Sequence, residues 1–294
     1  MNKITCFGEV LWDVFPTHKK IGGAPLNVAL RLHSFQNDVS IISCVGKDNN
    51  GKKILAFIEK HGVSTKYIQT TEKYKTSEVN VLIDEHNTIS YEISSPCSWD
   101  FININKIIES LVKTSDAFIF GSLVSRNNQS EMTLKNLLSL SKFAVFDVNL
   151  RPPYYNINRL LYLMKAADFI KFNNDELLEI CLNLGAKYNT IEDQIKFIGT
   201  TTNTNNVCVT KGSNGAILFY ENAFFYNSGY AVKVSDTVGA GDSFLAALID
   251  SLLKKHHPQK AIDIACAVGA LVAQNKGANP NISKFEIDTI LEST

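Results

Sequence analysis

The chain has 294 residues, 45% of them hydrophobic, which is enough to bury the core of one large α/β domain or of two small ones. Lysine and arginine together number 29, and so do aspartate and glutamate, so the formal net charge is zero. Because no basic run or stripe is present, the composition argues against a nucleic-acid-binding protein and against a protein that binds anionic membranes.

The sequence also lacks the patterns of export and of membrane insertion. Its N-terminal stretch has no continuous apolar region of the kind a signal peptide needs, and Asp13 interrupts it. The apolar stretch 264–273 is too short to span a bilayer. Six cysteines are scattered without a CxxC pair among mostly apolar residues, so we expect buried free thiols. Together these features predict a cytoplasmic protein.

Strand-like and helix-like segments alternate along most of the chain. Taken from the N-terminus as strand and helix in turn, they are 4–15 and 25–35, 39–45 and 52–61, 117–120 and 131–140, 143–148 and 158–167, 169–172 and 175–184, a strand at 206–210, and two closing helices at 242–255 and 259–275. Continuously apolar strands between helices are typical of a parallel sheet that is covered on both faces. The pattern therefore predicts an α/β fold.

One region departs from this pattern. Residues 76–94 alternate between apolar and polar, as expected for a half-exposed antiparallel pair of strands with a turn at 84–87. We expect these strands to form a small sheet that lies over the site as a lid, with lid strands from about 10–22 and 76–95; an ordinary edge hairpin is the alternative. Because no repeat, linker or composition break is visible, residues 1–294 are expected to form a single domain.

The stretch Asp236–Phe244, with the sequence DTVGAGDSF, is the most informative part of the chain. Its small residues predict a tight turn directly before an apolar helix, and such a helix start leaves backbone N–H groups free to bind an anion. Asp242 adds a carboxylate beside that anion hole. This pairing is useful where a hydroxyl loses a proton while a neighbouring phosphoryl group gains negative charge. The alternative is that Asp242 is only a helix cap. The pattern indicates phosphoryl transfer to an alcohol, with Asp242 as general base and an anion hole formed by the backbone amides of Gly239, Ala240, Gly241 and Asp242.

Further motifs accompany this turn in a fixed order. They are GEVLWD at 8–13, GGAPLNVA at 22–29, VGKDNNG at 45–51, SWDF at 98–101, DVNLR at 147–151, NNDE at 173–176 and TKGSNG at 210–215. Along nearly the whole chain they resemble the ribokinase-like (PfkB) carbohydrate kinases, and the first, second and fourth are most similar to the fructokinase branch. The resemblance implies a three-layer αβα sandwich with a mostly parallel central sheet and a small β-sheet lid. It also implies an enzyme that uses Mg-ATP to phosphorylate a sugar hydroxyl.

The resemblance implies roles for residues on the sugar side of the site. Asp13 would accept hydrogen bonds from two sugar hydroxyls, and Gly22 and Gly23 would let the backbone approach the sugar closely. Asn27 offers a donor and an acceptor together. Trp99 of the SWDF motif is expected to bind the substrate, and Trp12 or Trp99 would give a nucleoside substrate an aromatic platform. A turn aspartate at position 13 and a simple helix start at Asn27 are the structural alternatives.

The resemblance places a second group of residues around the nucleotide and the metal ions. Arg151 would meet the substrate or the transferring phosphoryl group, unless it forms a surface salt bridge. Asn173 and Glu176 match an NxxE element that orders Mg²⁺ through water, although the neighbouring Asp175 leaves the choice of carboxylate open and Asn173 could be a plain helix cap. Asp236 could help hold a monovalent cation such as K⁺. The ATP phosphates are expected to lie against Thr210, Lys211, Gly212 and Gly215. The adenine is expected to be bordered by Ala267, Asn275 and Gly277.

Fructose is the sugar that the resemblance favours. Ribose, a 2-keto-3-deoxy acid and a nucleoside remain alternatives, although a neutral sugar suits a pocket that carries Asp13 and Asn27. A sugar-binding regulator on the same scaffold is an alternative of a different class, and Asp242 argues against it because a binding protein gains nothing from a base. An exposed lid sheet could also pair with the lid of a second copy to form a homodimer.

Overall fold

Two sheets of different size organise the protein in the computed structural model, which describes residues 1–83 and 89–292. In chain order the strands and helices are β1 (Lys3–Phe7), β2 (Leu11–Val14), β3 (Lys19–Gly22), α1 (Ala24–Ser34), β4 (Asp38–Gly46), α2 (Asn49–Lys60), β5 (Ile68–Thr71), β6 (Ser77–Ile83), β7 (Ile89–Ile93), α3 (Lys106–Thr114), β8 (Ala117–Gly121), α4 (Asn128–Leu138), β9 (Ala144–Asp147), α5 (Ile157–Lys165), β10 (Phe169–Asn173), α6 (Asn174–Asn183), α7 (Ile191–Thr202), β11 (Val207–Thr210), β12 (Ala216–Tyr220), β13 (Ala223–Asn227), α8 (Ala240–Leu253), α9 (Pro258–Gln274) and α10 (Lys284–Glu292).

The large sheet has nine strands in the order β13-β12-β11-β10-β9-β8-β1-β4-β5. All neighbouring pairs from β11 to β5 are parallel, and β12 and β13 continue the sheet as antiparallel strands at one edge. Because the strands of the parallel part run in one direction, their carboxyl ends lie along the same side of the sheet. That side is where ligands bind in open α/β sheets.

Helices cover both faces of the large sheet. In β8, Phe118 and Phe120 belong to one hydrophobic cluster, which contains the apolar side chains of α3 to α7. Ala117 and Ile119 of the same strand belong to a second cluster, with the apolar side chains of α1, α2, α8, α9 and α10. Since alternate residues of a strand point to opposite faces, the two clusters are the two interlayer cores of an αβα sandwich. The predicted fold class is confirmed.

The small sheet has four strands in the order β3-β2-β6-β7. β2 pairs antiparallel with β3 and parallel with β6, and β6 pairs antiparallel with β7. The prediction of one continuous strand over 4–15 is wrong. Gly8, Glu9 and Val10 interrupt it, so that β1 joins the large sheet and β2 joins the small one. The turn predicted at 84–87 lies outside the described residues.

Several elements were not predicted from the sequence. They are β5, α3, α7, β12, β13 and α10, all of them between 4 and 12 residues long. The six cysteines are all buried and free, as predicted. Among the described residues, no helix combines the length and the apolar character that a membrane span requires.

Gly215 provides a test of how tightly the turn after β11 is packed. Its φ angle is 77°, and a Cβ atom there would overlap the Asn227 carbonyl oxygen, whereas Gly185 has a φ angle of 80° and open space around it. We expect Gly185→Ala to lower the free energy of unfolding by about 1–2 kcal/mol, the cost of a left-handed conformation, and Gly215→Ala to lower it by at least about 3 kcal/mol. Urea unfolding followed by circular dichroism measures both. If both variants lose the same free energy of unfolding, the close approach of the Asn227 carbonyl to Gly215 is contradicted.

Candidate active site

The N-terminus of α8 forms the floor of the candidate site. Gly239 caps the helix with a φ angle of 77°, and Ala278 packs so closely that a Cβ atom on Gly239 would lie 2.5 Å from the Ala278 Cβ. The amide of Ala240 donates to the Thr237 carbonyl at 3.2 Å. Within the described part of the chain, the amides of Gly239, Gly241 and Asp242 donate to no protein acceptor. The turn therefore offers three free donors at the positive end of a helix, and Ala240 is not one of them.

Asp242 lies in the first turn of α8, partly buried beside these amides. Its Oδ2 accepts a hydrogen bond of 2.8 Å from the Asn27 side-chain amide. Burial and, after it, the charge of Asp147 raise the pKa of Asp242 to about 6, although the Asn27 hydrogen bond, Lys171 and Arg151 act in the opposite direction. The carboxylate is thus tuned towards neutral pH, as is typical of groups that exchange protons.

A buried ion pair lies beneath this turn. The Lys171 ammonium contacts Asp147 Oδ1 at 3.0 Å, and a Cβ atom on Gly241 would lie 3.5 Å from the Lys171 Nζ. Burial alone lowers the pKa of Lys171, but the carboxylates of Asp147, Glu176 and Asp242 outweigh this and hold the pKa above its ordinary value. Lys171 was not among the residues predicted for the site. A lysine inside the apolar strand FIKFN was the available signal, because a charge is buried only when it is paired.

The sugar-side residues come from β2, β3 and the start of α1. Asp13 stands beside Gly22, where a Cβ atom would overlap its Oδ2. Burial raises the pKa of Asp13 to about 6, while Arg151 and Lys20 act in the opposite direction. Gly23 caps α1, whose buried Asn27 also accepts from the Asn279 side chain at 3.0 Å. Asp13, Asn27 and Asp242 therefore face one region from two different layers of the molecule.

Two further charged residues belong to this region. Glu9 is buried with its Oε2 unpartnered among the described residues, and burial raises the pKa of Glu9 to about 7. Arg151 is partly exposed and donates to the Leu150 carbonyl at 2.8 Å. Its positive charge lowers the pKa of Glu9, Asp13 and Asp242 alike, which places Arg151 within electrostatic reach of all three. Glu9 had no role in the sequence analysis, since a single glutamate after a strand is a weak signal.

The structure does not bring Trp99 to this region. Its side chain is fully buried, and the Arg126 guanidinium stacks over the indole ring at 4.0 Å from the ring centroid. A fully buried ring has no face left for a substrate. Trp99 therefore belongs to the core below the small sheet, and we do not carry it forward as a sugar contact.

The NNDE segment forms a capping box at the start of α6. Asn173 accepts from the Glu176 amide at 2.8 Å, and Glu176 accepts in turn from the amides of Asn173 at 2.8 Å and Leu150 at 2.9 Å. Glu176 is buried near Lys171, whereas Asp175 is exposed. Glu176 is therefore the carboxylate that faces the site. No group of three or more acidic, histidine or cysteine side chains suited to a metal occurs in the described ranges.

The predicted nucleotide residues lie at the ends of β11 and α9. The Lys211 amide donates to the Gly215 carbonyl at 2.7 Å, and Gly212 at the tip of this turn is exposed. Asn275 caps the end of α9 and is exposed. Ala267, in contrast, is fully buried inside α9. It can support the wall of a nucleotide site only from behind.

Asp236 ties the turn before α8 to the segment after α9. Its Oδ1 accepts from the Val238 amide at 3.1 Å, and its Oδ2 accepts from the Gly277 amide at 3.0 Å. Lys20 of β3 lies 3.7 Å from the same carboxylate. The structure therefore gives Asp236 a clear role in positioning this loop. A cation bound there would have to share the two oxygens with these donors.

Comparison with known proteins identifies the family. The model of the pfkB family of carbohydrate kinases matches residues 2–284. The chain belongs to the pfkB family of carbohydrate kinases. The predicted resemblance and the prediction of a carbohydrate kinase are confirmed.

Relatives within the pfkB family differ in their sugars. A fructokinase of Vibrio alginolyticus is 27% identical over 95% of both chains, and an ATP-dependent ribose-1-phosphate kinase of Halopiger xanaduensis is 26% identical over 95% of this chain and 94% of its own. The solved structure of a Vibrio cholerae fructokinase double mutant, with fructose, ADP and potassium ion bound, superposes with a TM-score of 0.85 at 23% identity and covers 99% of this chain and 98% of its own.

The raised pKa of Asp242 predicts a pH-dependent gain in stability when its charge is removed. The folded state holds this proton up to about pH 6, whereas the unfolded chain releases it near pH 4, so ionisation costs stability as the pH rises through this window. We expect Asp242→Asn to raise the free energy of unfolding by about 1–2 kcal/mol at about pH 8 and to change it little at about pH 4.5.

Urea denaturation at the two pH values measures the difference. Asp288→Asn, an exposed position on α10, is the control. If Asp242→Asn destabilises the protein equally at both pH values, ionisation of the Asp242 carboxylate does not lower the free energy of unfolding.

Proposed function

We propose that this carbohydrate kinase transfers the γ-phosphoryl group of ATP to a hydroxyl of fructose, with Asp242 as general base. The observation that carries the proposal is the Asp242 carboxylate, held by Asn27 directly beside the free amides at the start of α8. A base next to an anion hole suits a reaction in which a hydroxyl loses a proton while a phosphoryl group gains charge. The fructokinase relatives support fructose as the sugar.

The chain's own residues would act as follows. Asp13 accepts hydrogen bonds from sugar hydroxyls, and Asn27 both accepts and donates such bonds. Together they orient one hydroxyl towards Asp242. Asp242 takes the proton of that hydroxyl through its carboxylate oxygen. The free amides of Gly239, Gly241 and Asp242 stabilise the charge that develops on the transferring group. Arg151 offsets the negative charge of the surrounding carboxylates.

The residues present fit a nucleotide with its metal. When bound, Mg-ATP supplies the γ-phosphoryl group. The turn of Thr210, Lys211, Gly212 and Gly215 would hold its phosphates by backbone donors and one ammonium, and Asn275 and Gly277 would border its base. Glu176 and Asn173 would contact Mg²⁺ through water, since both Glu176 oxygens already accept backbone amides. K⁺ near Asp236 belongs to the same proposal.

We further propose that the small sheet acts as a lid. β2 and β3 carry Asp13, Gly22 and Lys20, so a movement of this sheet would change the sugar pocket directly. Closure would exclude water and so suppress ATP hydrolysis. A homodimer formed through this sheet remains a prediction.

Ribose or a phosphorylated ribose is the second candidate substrate. The ribose-1-phosphate kinase of Halopiger xanaduensis is almost as similar as the fructokinase of Vibrio alginolyticus. A 2-keto-3-deoxy acid would need a further cation on the sugar side, where Lys20 and Arg151 already face three carboxylates. A nucleoside would need an aromatic platform, which the buried Trp99 does not provide and which would fall to the half-buried Trp12 of β2.

A substrate screen tests the proposal. With ATP, Mg²⁺ and K⁺ in a coupled ADP-release assay, we expect fructose to give the highest kcat/KM among fructose, ribose, ribose 1-phosphate, a 2-keto-3-deoxy acid and a nucleoside. Fructose should bring a free hydroxyl to Asp242 without adding charge to an already acidic pocket. A higher kcat/KM for ribose 1-phosphate than for fructose would identify ribose 1-phosphate as the substrate instead. Sugar binding without any ADP release would instead indicate a regulator.

Replacing the proposed base tests the mechanism. We expect Asp242→Asn to lower kcat by about 10²–10⁴, the usual effect of losing a general base, while the Kd for sugar stays close to that of the wild type. In the wild type, kcat/KM should fall as the pH drops through about 6, because the pKa of Asp242 lies there.

The matched control is Asp193→Asn, which changes a first-turn aspartate on the exposed surface of α7. This variant should keep the wild-type kcat. Near-normal turnover of Asp242→Asn would reduce Asp242 to a helix cap.

A further inference from the structure

A polar cavity of about 250 Å³ lies outside the candidate active site. It is bounded by the segment after β7, the start of α4 and the loop that joins Arg151 to α5. The lining residues that matter here are Asp100, Arg126, Asn127, Tyr154, Asn156 and Arg159. None of them has a role in the proposed kinase reaction.

Two helix N-termini meet at this cavity. Asn127 caps α4, which has 11 residues, and Asn156 caps α5, which has 9 residues. Both capping residues line the cavity. Because the N-terminus of each helix carries a partial positive charge, their convergence favours an anion.

The two capping side chains also keep hydrogen-bond donors that the protein does not use. Asn127 Oδ1 accepts from the Gln129 amide at 3.0 Å, and Asn156 Oδ1 accepts from the Arg159 amide at 2.9 Å. Each side-chain oxygen is therefore committed to its own helix. Neither Nδ2 group donates to an acceptor in residues 1–83 or 89–292, so each retains free donors.

The Asp100 carboxylate and the Tyr154 hydroxyl, both on the cavity wall, are already engaged. Asp100 binds the Arg126 guanidinium through both oxygens, at 2.7 and 2.8 Å, and Arg126 Nη1 is buried with no partner in the described part of the chain. The Tyr154 hydroxyl donates to the Ile93 carbonyl at 3.1 Å. A neutral sugar needs acceptors as well as donors, whereas an anion needs donors alone.

Arg126 and Arg159 both line the cavity, and each is paired with a carboxylate. Arg126 is neutralised by Asp100, and its side chain is only 4% exposed. Glu131 is shared by two cations, with Arg159 at 3.1 Å and Lys135 at 2.8 Å. Tyr155, which also lines the cavity, donates to Glu179, so the wall offers unused N–H donors rather than a net positive charge.

We propose that this cavity is a second binding site, distinct from the kinase site, for a phosphate dianion, either inorganic phosphate or the phosphoryl group of a small sugar phosphate. Its ligands are the free amide donors of Asn127 and Asn156, the helix starts behind them and the Arg159 guanidinium. The loop that ends at Asn156 begins at Arg151, so an anion bound here contacts the segment that carries an active-site residue. The proposal is independent of the sugar that the enzyme phosphorylates.

Charge reversal at the caps gives a selective test. Asp caps a helix as well as Asn does, so Asn156→Asp and Asn127→Asp keep both helix starts while replacing a donor with a negatively charged oxygen. Asn105→Asp, at the cap of α3, makes the same change away from the cavity. Isothermal titration calorimetry with inorganic phosphate, and separately with fructose 1-phosphate and fructose 6-phosphate, measures binding to the full chain saturated with fructose and a non-hydrolysable ATP analogue.

We expect wild type and Asn105→Asp to bind phosphate with equal affinity, and each cavity variant to bind it at least about tenfold more weakly, since charge-assisted hydrogen bonds are lost. Thermal melting should show that all variants stay folded. Binding of sugar phosphates but not of inorganic phosphate would assign the site to the organic ligand. Wild-type affinity in Asn156→Asp and Asn127→Asp, or no binding to the saturated wild type, would overturn the proposal while leaving the kinase reaction intact.

Discussion

The hydrogen bond from Asn27 to Asp242 joins two helix starts that are 215 residues apart in the chain. Arg31, one turn further along α1, reinforces the same contact by donating to the Ser243 hydroxyl at 3.1 Å and to the Pro280 carbonyl at 2.8 Å. Residues four apart share one helix face, so α1 presents a polar edge on which the start of α8 rests. Because these groups are buried, each must keep its partner, and this requirement fixes the direction of the Asp242 carboxylate.

Charge balance is the second constraint on the site. Glu9, Asp13 and Asp242 are crowded into one region, and burial raises the pKa of all three. Arg151 and Lys171 limit this effect but do not remove it. A fold selected for stability alone would place fewer carboxylates here. The arrangement makes sense where substrate hydroxyls, a metal and phosphate groups supply the missing partners, and perturbed carboxylates of this kind are common at functional sites.

The polar cavity at α4 and α5 follows the same physical rule as the start of α8. In each place helix N-termini supply donors that the protein itself does not use. They differ in what lies beside the donors. A base stands at α8, whereas guanidinium groups and capping amides stand at α4 and α5, so the first arrangement suits group transfer and the second suits binding alone. The loop 151–156 connects them physically.

Periodicity and motif order in the sequence determined the alternation of strands and helices, the parallel sheet and the turn that carries Asp242, because these depend on local residue patterns. The tertiary structure alone decided which sheet each strand joins, since Gly8, Glu9 and Val10 divide a stretch whose residue pattern predicts a single strand. It also removed Trp99 and Ala267 from the surface, because burial depends on packing partners distant in sequence. Lys171 and Glu9 joined the site for the same reason. Their charges acquire meaning only from the carboxylates and guanidinium that folding brings beside them.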